Sequence, residues 1–207
     1  LNERKLDCCK NNDWESLAAD KNHIYIADFG NNYDTRKNLS IIKIPIQKSS
    51  NENIEVINFS YPEQKKFNTI YRSSQYDAEA LISINDNLII FTKNKLKKIT
   101  EIYSLPKTGG NYQAKKIGSI DTKSIVTGAD YDKKTSTLAL TSTILFDDYY
   151  IQIINDFNFN NQNHKIDTFK IPIGKTQVES IKIIDPTTFW ITSEDESSSS
   201  SARLMKV

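Results

Sequence analysis

The sequence contains little of several residue types from which a function is usually first inferred. Among its 207 residues are two cysteines, two histidines and one methionine. Lys and Arg number 27 against 26 Asp and Glu, so the chain has neither a basic surface for nucleic acid nor an acidic tail. No stretch approaches the run of about 18 apolar residues that a membrane-spanning helix needs. Binding to nucleic acid and a membrane-spanning helix are therefore not expected.

The scarce cysteines and histidines also limit the chemistry. Cys8 and Cys9 are adjacent, which leaves three states open: a strained disulfide between neighbours, two free thiols, or a bond to a cysteine outside this sequence. The first state is rare, so one of the other two is expected. His23 flanks an apolar run and His164 lies in an Asn-rich stretch, and neither has a motif serine or cysteine beside it. A catalytic nucleophile–histidine pair, a zinc site and a phosphate-binding glycine loop are not predicted.

The chain does contain a unit that occurs four times. The copies begin with the segments WESL at 14–17, AEAL at 78–81, TGAD at 127–130 and VESI at 178–181. Each is followed, about ten residues after its second position, by a short apolar run. A recurrence of about 40 to 60 residues with several strands in each unit is typical of a β-propeller.

The apolar runs themselves predict one strand after another. They are short, rich in Ile, Tyr, Phe and Thr, and bounded by Asn, Asp, Gly, Lys or Pro. We therefore expect a single all-β domain over residues 1–207, with four-stranded antiparallel blades at about 14–62, 77–121, 125–173 and 178–207. The fourth unit has only three predicted strands, and residues 1–13 are expected to supply an orphan strand that closes the ring. Three full blades with these partial ones indicate an N-terminally truncated ring of five or six blades.

Several motifs extend beyond the repeated positions. They are NDWESLA at 12–18, IYIADFGNN at 24–32 with Arg36, DAEAL at 77–81, FTK at 91–93, TGADY at 127–131 and QVESI at 177–181. Together they resemble a group of poorly characterised bacterial propeller proteins that usually carry a secretion signal. The resemblance implies an extracytoplasmic protein, which we expect to be a monomer. That group is more distantly similar to esterase-like phytases and lactonase-type propellers, through the blade pattern alone.

The repeat also indicates where a ligand would bind. Equivalent positions in successive blades converge on the propeller axis, so Glu15, Glu79 and Glu179 should surround one mouth of the central channel. Converging carboxylates repel each other, and a bound Ca²⁺ would relieve that repulsion. The alternative is that each glutamate accepts hydrogen bonds from backbone N–H groups of the next blade and holds the blades together. In the third unit the alignment places Gly128 at this position, which predicts a gap in the ring.

A second set of polar residues follows the next strand of each unit. It contains Asp28, Lys93 and Glu194, with Ser142 or Thr143 in the third unit. Mixed charge at strand ends suits a pocket for a polar ligand, although solvent-facing strand ends often have the same composition.

Three functions remain open from the sequence. The first is binding of a small polar ligand, a glycan or a protein at the channel mouth, without catalysis. The second is a Ca²⁺-dependent phosphoester or lactone hydrolase, with the metal held by Glu15, Glu79 and Glu179. The third is a scaffold for protein interactions.

Overall fold

The structure is a computed structural model that describes residues 6, 9–47, 54–70, 73–144, 148–161, 163–173, 176–194 and 202–207. The regular elements assigned in these ranges are β-strands. No helix that is long and apolar enough to cross a membrane occurs among them. The strands form four small sheets, and with one exception, β8, the chain runs from each strand to its neighbour within a sheet.

The first two sheets contain nine strands. The first consists of β1 (Trp14–Ala19), β2 (His23–Asp28), β3 (Leu39–Pro45) and β4 (Glu55–Ser60). The second begins with β5 (Ala78–Ile84), β6 (Asn87–Thr92) and β7 (Thr100–Pro106). The next strand, β8 (Gly110–Gln113), leaves this sheet and pairs in parallel with β4, and β9 (Lys115–Ile120) then completes the second sheet beside β7.

The remaining seven strands form the third and fourth sheets. The third consists of β10 (Ile125–Asp132), β11 (Thr137–Ile144), β12 (Asp148–Ile154) and β13 (Asp167–Ile171). The fourth contains β14 (Val178–Asp185), β15 (Thr188–Ser193) and β16 (Arg203–Lys206). All neighbouring strands within the four sheets are antiparallel except the β4–β8 pair.

The sheets are arranged as the blades of a propeller. The first strands β1, β5, β10 and β14 are the inner ones, and contacts join β1 to β5, β5 to β10, and β10 to β14. The all-β propeller predicted from the repeat is therefore confirmed, with four blades. The expected total of five or six blades receives no support from the structure.

Alternating apolar side chains build a core between each pair of consecutive blades. Tyr25 and Ile41 meet Leu88 and Tyr103 between the first two blades. Equivalent clusters join the second blade to the third and the third to the fourth. The remaining apolar face of the first blade is partly covered by Leu6 and Cys9 instead of by another sheet.

The N-terminal segment bears on two predictions. Cys9 is disulfide-bonded, which excludes a free thiol there, while Cys8 lies outside the described residues. Most of the segment predicted to close the ring, residues 1–5 and 7–8, also lies outside them. The apolar runs of the sequence otherwise lie in the strands of the structure. The exception is β8, whose residues GNYQ contain no apolar run.

Gly128 lies where two inner strands come closest. A Cβ atom at this position would lie 2.9 Å from the Cα of Ser180 and 2.6 Å from Oγ1 of Thr141. Because a backbone atom cannot give way as a side chain can, we expect Gly128→Ala to lower the free energy of unfolding by about 1–3 kcal/mol. Gly118→Ala is the matched control, since its Cβ would meet only the carbonyl oxygen of Phe159, at 3.6 Å. Equal urea midpoints for the two variants would contradict this account.

Candidate functional site

Each inner strand carries a β-bulge near its start, at the equivalent point of its register with the second strand. The pairing of β1 with β2 shifts between Trp14 and Ser16, so Glu15 is the extra residue. The same shift leaves Glu79 in β5 and Glu179 in β14 as the extra residues. A bulge re-aims the side chain that it carries, and bulges are often found beside functional sites. The three glutamates predicted from the repeat thus occupy equivalent positions.

The third blade differs from its predicted alignment by one residue. In β10 the register shift lies between Val126 and Gly128, so Thr127 occupies the position of the glutamates. Its hydroxyl hydrogen-bonds Oγ1 of Thr141 at 3.2 Å. The third blade thus lacks a glutamate as expected, but the alignment at Gly128 is wrong: the gap lies at Thr127, and Gly128 corresponds to Ser16, Ala80 and Ser180.

Glu79 forms a buried ion pair. Lys93, just after β6, donates to Oε1 of Glu79 at 2.6 Å, and both side chains are almost fully buried. The carboxyl group of Glu15 lies near enough to Glu79 for each of the two to shift the pKa of the other. The chain thus places two carboxyl groups and one ammonium group close together.

Burial and neighbouring charge shift the pKa values of all three groups. Burial, then the charges of Glu79 and Asp13, raises the pKa of Glu15 to about 10. Burial also raises the pKa of Glu79, although Lys93 opposes the shift. Burial disfavours the charge on Lys93, but the carboxylates of Glu79, Asp77 and Glu179 hold the pKa of Lys93 above its ordinary value. Glu15 therefore keeps its proton at neutral pH, while Glu79 and Lys93 form the ion pair.

The sequence predicted that Ca²⁺ would relieve the repulsion between these carboxyl groups, and in the structure Lys93 supplies positive charge to them. Within the described ranges no group of three or more His, Cys, Asp or Glu side chains is placed to hold a metal ion. Other positions supply hydrogen bonds between blades: Ser16 Oγ accepts from the N–H of Leu81 at 3.1 Å, and Asp130 accepts from the N–H of Ile183 at 2.8 Å.

A cavity of about 440 Å³ opens beside this cluster, and we call it the axial cavity. The first blade lines it with Trp14, Glu15 and Asn32, the second with Glu79 and Lys93, and the fourth with Gln177, Glu179, Thr192, Ser193 and Glu194. Five of the six site residues predicted from the sequence therefore lie around one cavity. Glu194 is exposed there, and its carboxylate accepts a hydrogen bond from Gln177 at 2.6 Å.

Asp28 is the predicted site residue that does not line the axial cavity. It is 2% exposed and accepts hydrogen bonds from Asn12 Nδ2 at 2.7 Å and from the Asp13 N–H at 2.9 Å, and Arg36 forms an ion pair with it. In the strand register Asp28 opposes Trp14, as Thr92 opposes Ala78, so it corresponds to Thr92 and not to Lys93. Its contacts fix the segment that leads into β1.

A second buried ion pair beside the site was not predicted. Lys95 Nζ lies 2.9 Å from Oδ2 of Asp77, and Oδ1 of Asp77 accepts from the Asn31 N–H at 2.7 Å. Asp77, just before β5, thus links Lys95 in the loop after β6 to Asn31 in the loop after β2. Asn32 of the axial cavity belongs to the same loop as Asn31. The DAEAL motif contained the signal, because it placed an acidic residue two positions before Glu79.

Gly30 provides the space that the first-blade carboxylates need. A Cβ atom at this position would lie 2.3 Å from Oδ2 of Asp13 and 2.4 Å from Oε1 of Glu15. The backbone N–H of Gly30 also donates to the carbonyl of Asp13 at 3.2 Å. The bare Cα thus allows Asp13 and Glu15 to approach each other, which contributes to the raised pKa of Glu15.

Comparisons with known proteins place the fold but not the family. No family model matches this chain, and no curated protein matches it. Among solved structures it is similar to an exo-β-1,3-galactanase from Phanerochaete chrysosporium in complex with β-1,3-galactotriose, with a TM-score of 0.59 and 12% identity. It is also similar to a GH43 β-1,3-galactosidase, with a TM-score of 0.57 and 10% identity.

These matches cover 92% and 93% of this chain but only 46% and 42% of the two solved chains, so it spans less than half of their length. At such low identity the similarity establishes a shared propeller fold, and it transfers no site residue.

Proposed function

We propose that this protein binds a neutral, hydroxyl-rich ligand, a carbohydrate, in the axial cavity. The observation that carries the proposal is the convergence of Glu15, Glu79, Lys93 and Glu179 with Trp14 around one cavity of about 440 Å³. That volume lies in the range of about 300–1,000 Å³ found for ligand sites. The carbohydrate galactotriose in a structure of similar fold adds support by analogy only.

The charges around the cavity select among ligands. With Glu15 protonated, the wall carries the three carboxylates of Glu79, Glu179 and Glu194 against the one ammonium group of Lys93, so it is negative overall. Carboxylates accept hydrogen bonds from sugar hydroxyls, whereas an anionic ligand would be repelled. This favours a neutral glycan over the phosphoester expected as an alternative from the sequence.

We expect β-1,3-galactotriose to bind in isothermal titration calorimetry, and a uronate trisaccharide to bind more weakly. Glu179→Gln should weaken galactotriose binding at least tenfold, since it replaces one carboxylate oxygen, a charged acceptor in the cavity wall, with an NH2 group. Glu63→Gln, at an exposed glutamate outside the cavity, is the matched control. Equal affinities for these two variants, or no binding by the wild-type protein, would refute the proposal.

Hydrolysis is the second candidate, because Glu15 offers a protonated carboxyl group at neutral pH, as a general acid must. Glu79 is a poor nucleophile to partner this acid, because its buried carboxylate is held in the ion pair with Lys93. Chromatography of galactotriose after long incubation tests the candidate, and cleavage that is lost in Glu15→Gln would support it.

Binding of Ca²⁺ by Glu15, Glu79 and Glu179 stays a prediction. The ion pair of Lys93 with Glu79 does not favour it, because the lysine already supplies positive charge there. Repeating the titrations with Ca²⁺ and with a chelator tests it. Secretion, a bacterial source, a monomeric state and a ring of five or six blades also stay predictions. The larger ring rests on the sequence repeat alone, since the structure shows four blades.

A further inference from the structure

The propeller has an open side between its first and fourth blades. Inner strands β1 and β14 make few contacts, whereas every other pair of consecutive inner strands is in contact. A cavity of about 680 Å³ lies between them, and we call it the seam cavity. Its floor is formed by Gly128 and Ala129 of β10.

The seam cavity has apolar residues in both walls. Leu17 on β1 is 68% exposed and lies beside the buried Ile26, while Ile181 and the stem of Lys182 form the opposite wall. Ile26 belongs to an apolar cluster of the first blade that Leu6, Cys9 and Trp14 partly cover. The seam is thus a groove with apolar sides and a polar end.

The seam cavity adjoins the axial cavity. The two linings share Trp14, Glu15, Glu179 and Thr192. The axial cavity therefore borders the gap between β1 and β14, and Trp14 lies at the junction. From the axial cavity to the seam cavity the walls change from carboxyl and ammonium groups to leucine and isoleucine.

We propose that the seam cavity holds the further sugar units of an oligosaccharide whose end unit lies in the axial cavity. This rests on the proposed carbohydrate function and makes the ligand an oligomer. A pyranose ring presents hydroxyl groups at its edge and C–H groups on its faces. The first unit meets the polar groups of the axial cavity, and the following units pack their C–H faces on Leu17, Ile26 and Ile181. Each cavity alone has the volume of an ordinary ligand site, so the pair exceeds what one sugar needs.

The test measures affinity against chain length. We expect titrations with galactose, β-1,3-galactobiose and β-1,3-galactotriose to give a dissociation constant that falls at least tenfold from one unit to three. Leu17→Asp should abolish this gain and leave galactose binding within about twofold of the wild type. Leu96→Asp is the matched control, since Leu96 is 69% exposed in the turn after β6, outside both cavities. It should leave the length dependence unchanged.

Other results separate the inference from the proposed function. Equal affinities for all three sugars would overturn the oligosaccharide proposal and leave carbohydrate binding intact, whereas no binding of any sugar would refute the proposed function itself. A wild-type dimer in light scattering that Leu17→Asp converts to a monomer would assign the seam to a second copy of the chain. Protection of Leu17→Cys from maleimide in the absence of sugar would mean that protein, such as a further sheet, fills the seam. Either result would overturn the inference.

Discussion

Replacing Lys93 by methionine is expected to cost about 3–5 kcal/mol of unfolding free energy at pH 7.5, which is the usual effect of removing one partner of a buried ion pair. The ammonium group of Lys93 lies 2.6 Å from Oε1 of Glu79, whose side chain is 4% exposed. Without it, Glu79 would keep a buried charge beside Asp77 or would have to be protonated, as Glu15 already is. Urea unfolding of the wild type and the variant measures the loss.

Two further variants decide whether the charge is responsible. Lys93→Met combined with Glu79→Gln should recover most of the lost stability, because no unpaired charge is then buried. Lys170→Met removes an exposed partner of Asp148 and should have no measurable effect, since solvent screens that pair. A double variant as unstable as Lys93→Met would mean that the lysine stem, and not its charge, stabilises the blades.

The ion pair also changes how the repeated glutamates are understood. A bulge places a carboxyl group at the equivalent position in three blades. One lysine and one retained proton reduce the negative charge that these groups would otherwise concentrate there. The lysine belongs to the second blade alone, so the site is asymmetric although the fold repeats. A ligand consequently meets neutralised groups on the second blade and carboxylates on the fourth.

Much of the fold could be predicted because it depends on local patterns. Apolar runs such as 88–91 and 138–141 are bounded by turn residues, and the recurrence of the whole unit fixes the blade architecture. By contrast, β8 was missed because its partner β4 is about 50 residues away and the pairing is parallel. A four-residue segment with two polar side chains gives no local sign of such a partner.

The site could be predicted only to within one residue in some blades. A bulge adds a residue to one strand of a pair, so spacing counted along the sequence cannot assign the register. This placed Gly128 where Thr127 lies, and it aligned Asp28 with Lys93 when its counterpart is Thr92. The ion pair of Glu79 with Lys93 could not be predicted for the same reason, since a contact between charges on adjacent strands can be predicted only when the register is known.

Replacing Glu15 by glutamine is expected to stabilise the protein by an amount that grows with pH. Burial and the charge of Glu79 raise the pKa of Glu15 to about 10 from an ordinary value of 4.5. Between these two values the folded chain keeps a proton that the unfolded chain releases, so wild-type stability falls as pH rises through this window. Glutamine cannot ionise in either state.

The measurement is the difference in unfolding free energy between Glu15→Gln and the wild type at pH 5 and at pH 9. We expect a small difference at pH 5 and a gain of about 1–3 kcal/mol for the variant at pH 9, below the full linkage value because the pKa of Glu15 depends on the charge of Glu79. Glu63→Gln, at an exposed glutamate, is the matched control. A Glu15→Gln difference that does not change with pH would mean that Glu15 is ionised in the folded protein. The neutral Glu15 in the proposed carbohydrate site would then be wrong, and another cation would have to balance the carboxylates.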